Sequence, residues 1–218
     1  MHRFAMVFLA IGIFLTGRAD SIGEDSPSDE IYKVLRWQHG LARLSPEQRI
    51  VLASIVAHPD KYLPILAEKL RSLDALQIVS DQESRRQDEL LIVLIAEIGT
   101  DAVYSILRDA YSRLEQRCNG LKGDSTATAL RGHMISLKRV ILDCMGQKGS
   151  KALVNFCLRS VEHEDYANQL VILRYFERVG SNDQRVIDSL KIISQNKQSS
   201  LFENNRLMKT IDALSKPK

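Results

Sequence analysis

An apolar comb occurs three times in this chain, each time running up to a glycine. Counting back nine, five, four and one residues from Gly99 gives Leu90, Leu94, Ile95 and Ile98. The same offsets from Gly146 give Leu137, Ile141, Leu142 and Met145, and from Gly180 they give Val171, Tyr175, Phe176 and Val179. An α-helix turns by about 100° per residue, so these offsets fall on one stripe and predict helices that stop at their glycines. The second and third glycines are 34 residues apart, and the match runs on: Ala152 with Val186, Leu153 with Ile187, Phe156 with Leu190. The first two are 47 apart, and a glycine-containing surface loop from Cys118 to Thr126 takes up the excess. A repeated helix–stop–helix unit predicts stacked hairpins, each burying its apolar side against the next.

Start and stop signals fill in the rest. Ile31, Val34, Leu35 and Leu41 predict a first helix from Glu30 to about Arg43, with Trp37 at the edge of its stripe. Ser45-Pro46-Glu47-Gln48 is a capping box with proline at the first helical position. It opens a helix bearing Ile50, Val51, Ser54 and Ile55 that ends at His58-Pro59, because the residue before proline avoids helical angles. A return helix follows with Leu63, Leu66, Ala67 and Leu70, and Pro64 is expected in its first turn. Ser80 with Glu83, Thr100, Ser181 with Gln184 and Ser200 with Glu203 predict further helix starts. Leu207, Ile211 and Leu214 mark a last helix ending at Pro217. No segment alternates as a strand would, so the expected class is all-α.

On these combs the chain resembles HEAT and armadillo-type repeats over about residues 45–195. The resemblance implies a right-handed α-solenoid of about four antiparallel helical hairpins, with a partner held on the concave face. An irregular helical bundle is the architectural alternative. The chain departs from the HEAT pattern in lacking a regular ladder of Asp and Arg between units.

The N-terminus reads differently. Met1-His2-Arg3 precedes an apolar run from Phe4 to Leu15, and Gly17-Arg18-Ala19 has the small residues of a cleavage site. This is the layout of a secretory signal peptide over residues 1–19, cleaved near Ala19. The run is shorter than the roughly 20 apolar residues needed to cross a bilayer. Residues 20–29 are polar and read as a flexible leader, and residues 30–218 as one helical-repeat domain. Removing residues 1–19 takes two of the 30 basic residues, Arg3 and Arg18, and none of the 27 acidic ones. The near-neutral remainder offers no general electrostatic reason to bind nucleic acid. A secreted or periplasmic protein is expected, with a membrane role only if residues 1–19 are kept.

The residues that could carry chemistry form no motif. Cys144 and Cys157 are expected on two helices of one hairpin, offset by roughly 5–8 Å along the axis, which strains a disulfide. Both read as small buried apolar residues, and Cys118 as the most accessible thiol. His39, His58, His133 and His163 do not pair at helical spacing, and His163-Glu164-Asp165 reads as a helix start. No catalytic, metal or cofactor residue is assigned. With the second helices in register, Arg108, Asn155, Leu158 and Ile192 fall opposite the core stripe, Ser105 and Ser189 beside them. These four, with Trp37 as an aromatic anchor, are the candidate partner-binding residues. The expected function is a non-catalytic protein–protein scaffold or adaptor. The alternatives are a cysteine/histidine-dependent enzyme on an all-α fold and a membrane-tethered structural protein.

Overall fold

The computed structural model describes residues 26–37, 40–41, 43–73, 82–121, 125–162, 164, 166–179, 183–202 and 204–216. The expected signal segment lies outside them, as do His39, Ser80, His163, Asp165, Gly180, Ser181, Glu203 and Pro217. Ten α-helices and no strand occur among the described residues, and the chain divides into two compact units, 1–62 and 63–218.

The first unit holds α1 (Pro27–Leu35) and α2 (Pro46–Ala57), and the start of α3 (Pro59–Ser72). Ser26 caps α1: it accepts from the Asp29 amide, and the Asp29 carboxylate accepts from the Ser26 hydroxyl at 2.7 Å. The leader expected over residues 20–29 is therefore helical at its C-terminal end, a correction that the Ser26-Pro27-x-Asp29 pattern explains. The helix also ends at Leu35, short of the predicted Arg43. The positions that would extend its stripe are Gln38 and His39, and Gly40 then takes φ +56°. Ile31, Val34 and Leu35 are buried, and the buried Tyr62 donates its hydroxyl to Glu30. Ser45 caps α2 as expected, accepting from Gln48 N–H while its own N–H donates to Gln48 Oε1 at 2.8 Å. Only Ile55 of α2 is buried, however, and Ile50 is 67% exposed, against the stripe expected there.

α3 crosses from one unit to the other, with Leu66, Ala67 and Leu70 buried. Pro64 is its sixth residue rather than in its first turn. It leaves the Asp60 carbonyl without a helical donor, but both residues are exposed and water can serve.

The second unit continues with α4 (Gln82–Ile98), α5 (Asp101–Gly120), α6 (Ser125–Gln147), α7 (Val154–Ser160), α8 (Tyr166–Val179), α9 (Gln184–Gln195) and α10 (Asn205–Ser215). α4 packs on α6, α6 on α8 and α8 on α10, while α5 packs on α4 and α6, α7 on α8 and α9, and α9 on α10. The combs form this core: all four residues of the first, all four of the second, and Tyr175, Phe176 and Val179 of the third are buried. Val171 is only half-buried, and Ile172 and Leu173 are buried instead. Because α8 lies against both α6 and α10, its apolar surface is wider than one stripe.

The glycines divide in their roles. Gly99 ends α4 at φ +69°, and Thr100 caps α5 by accepting from Val103 N–H. Gly146, expected as a stop, lies inside α6, and the left-handed residue is Gly149 at φ +71°. A Cβ at Gly146 would stand 3.1 Å from Arg178 Cδ and 3.3 Å from a Tyr175 ring carbon, so this glycine lets α8 approach α6. The loop expected from Cys118 is also corrected, since α5 continues through Gly120 and only residues 121–124 connect it to α6. Asp183 accepts from the Arg185 amide of α9, and Asn204, not Ser200, accepts from the first amides of α10. Ala152 is exposed where its 34-residue counterpart Val186 is buried, while Leu153 and Ile187 are both buried.

Candidate functional site

Arg108, Asn155, Leu158 and Ile192 fall on the second unit's α5, α7 and α9, and Trp37 belongs to the first unit. Trp37 is half-buried just past the end of α1, and its carbonyl accepts from Gly40 N–H. α5 meets α7 through Tyr111 and Phe156, whose rings stand edge to face with centroids 5.1 Å apart. α7 in turn packs on α9. Helical geometry, at about 100° per residue, puts Asn155 and Ile192 away from the buried sides of α7 and α9, and Arg108 and Leu158 on the flanks. Arg108, Asn155 and Ile192 are exposed, Ile192 by 68%, whereas Leu158 is half-buried. Arg108 is held along its own helix by Asp109 at 3.0 Å and Ser105 at 3.3 Å. The surface is thus one exposed isoleucine and part of a leucine in a polar frame.

The same unit holds a cluster not anticipated from the sequence. The Lys138 ammonium is buried, with its side chain 3% exposed, and donates to Glu115 of α5 and to Glu164 Oε1 at 2.6 Å. Arg139 Nε donates to Asn168 Oδ1 at 2.8 Å, and Asn168 Nδ2 donates to Glu164 Oε2 at 2.9 Å. Lys138 Nζ also stands 5.3 Å from the Tyr111 ring centroid, where it gains from the ring's negative face. One signal was available: Lys138 interrupts an apolar face, four residues after Met134 and four before Leu142.

Similar polar contacts link the neighbouring helices. His133 Nε2 lies 2.8 Å from Asp88, and Ser136 donates to Glu89 at 2.6 Å, both joining α6 to α4. Arg178 of α8 reaches Asp143 at 3.2 Å, and Glu177 accepts from Arg206 at 2.6 Å and Thr210 at 2.8 Å on α10. The Tyr175 hydroxyl donates to the Ser150 carbonyl at 2.8 Å and accepts from Leu153 N–H at 3.2 Å. Sequence alone showed no regular ladder because the paired residue types differ at each step.

The electrostatics of these groups follow from their burial and their partners. Burial alone pulls the Lys138 ammonium down, but its bonds and attraction to Glu115 and Glu164 outweigh this, and the net shift is upward. An ammonium held that way is not a free amine nucleophile. Cys118, expected as the accessible thiol, is buried on α5, and burial raises its pKa despite the opposing Lys138 and Arg131. That corrects the cysteine reading, since reactivity needs the thiolate. Burial pushes Cys144 up to about 12 and raises Cys157 further, and no disulfide joins the three. Among the described residues no group of three His, Cys, Asp or Glu side chains is placed to hold a metal, and no single helix is long and apolar enough to cross a membrane.

No family model, no curated protein and no solved structure matches the chain.

Proposed function

We propose that the second unit is a stack of helical hairpins of the α-solenoid kind, serving as a non-catalytic protein–protein scaffold in an exported protein. The observation that carries this reading is the serial packing of α4 on α6, α6 on α8 and α8 on α10, with α7 packed on α9 along the other helices. Such stacks present their second helices as an extended surface for a partner chain. Arg108, Asn155, Leu158 and Ile192 form the contact surface, with Ile192 as its apolar anchor and the flanking polar groups giving orientation. Export follows from the sequence of residues 1–19, and the near-neutral charge of the remainder suits a protein partner better than a nucleic acid.

Pull-down from the native compartment tests the surface. Wild-type protein is expected to recover a specific partner that an Ile192→Asp, Asn155→Arg variant of equal thermal midpoint does not. The same partner recovered by both proteins would remove the assigned surface. Mass spectrometry of the native N-terminus is expected to find a chain starting near Asp20, and an intact Met1 would replace export with tethering.

A further inference from the structure

Lys138 stands where a core helix would place an apolar residue, yet it carries a buried charge. Through Glu115 it is bound to α5, and through Glu164 to the connection between α7 and α8. Arg139 and Asn168 close the ring by holding Glu164 from the α8 side. Among the described residues, two cations and two carboxylates are brought together from α5, α6 and the connection between α7 and α8. α7, which immediately precedes the Glu164 connection in the chain, has seven residues. A helix that short does not hold itself, because isolated helices below about 12–15 residues are marginal in water.

We propose that this cluster is a conformational pin, which sets where α7 and its connection to α8 sit rather than how stable the unit is. Taking ions out of water costs about what their attraction returns, so neutral replacements of similar shape leave stability nearly level. Apolar contacts tolerate small sliding of one helix along another, whereas a charged hydrogen bond near 2.6 Å is lost by a displacement of about an ångström. The pin therefore selects one placement among several that apolar packing alone would accept. This holds whether or not the outer surface of α7 binds a partner.

The test is amide hydrogen exchange on the full chain carrying Lys138→Met, Glu115→Gln and Glu164→Gln together. Of the cluster's charges this leaves only that of Arg139, a half-buried residue that keeps access to water. The single Lys138→Met change is unsuitable, since it leaves two carboxylates facing each other without a cation. The triple variant is expected to melt within about 3 °C of the wild type. Its amides over residues 154–162 are expected to exchange at least about tenfold faster, while those of α4 and α10 keep their protection. Unchanged exchange over 154–162 overturns the proposal. So does a lowered midpoint with faster exchange throughout, or failure to fold, because the cluster would then be a general source of stability.

Discussion

α2 and α6 invert the usual relation between polarity and burial. From Ile50 to Ala57, α2 is apolar apart from Ser54, yet only Ile55 is buried. α6 carries His133 and Lys138, and both are buried. The difference is in the neighbours. α6 lies against α4, α5 and α8, so even its polar side chains lose contact with water and must find partners there. A side chain is buried by what surrounds it, and its own hydropathy only sets the cost.

Four experiments would break or sharpen that contrast. Ile141→Ala removes a fully buried side chain from α6 and is expected to cost about 2–5 kcal/mol in urea unfolding. Gly146→Ala adds a methyl group where α8 comes closest, and is expected to cost about 1–3 kcal/mol despite alanine's better helix propensity. A midpoint unchanged or raised would mean that Arg178 and Tyr175 yield freely.

Alkaline titration addresses the buried polar groups together. Cys118, Cys144, Cys157, Tyr111, Tyr175 and Lys138 all hold their protons more tightly in the folded chain, chiefly through burial, and for Lys138 through Glu115 and Glu164. The unfolded chain releases the thiol protons first, near pH 9, so stability from these groups is complete below that value and falls as pH rises above it. Urea midpoints at pH 7, 9 and 10.5 should show level stability and then a decline. The smallest effect is expected from Ile50→Ala on the exposed side of α2, within about 0.5 kcal/mol. A loss near that of Ile141→Ala would show that Ile50 is covered in solution.

Local signals were legible where a few adjacent residues settle the matter. The Ser45 capping box, the Thr100 cap, the Gly99 stop and the break at His58-Pro59 are all present as read. Where a competing cap stood close by, the reading slipped: Asn204 displaced Ser200 because it bonds both Arg206 and Leu207 amides. The combs identified core faces but not the width of the face on α8. Of the candidate site, the exposure of Arg108, Asn155 and Ile192 follows from helical spacing, while the partial burial of Leu158 depends on packing around α7.

By itself the order of residues determined the all-helical class, the starts of α2, α3 and α5, and the inward sides of α4 and α6, because those depend on contacts within about four residues along the chain. Only the tertiary arrangement decided that Gly146 is a point of close approach, that Cys118 is shielded, and that Lys138 meets acids 23 and 26 positions away. Those outcomes depend on which helix comes to lie alongside, and spacing within one helix carries no record of that.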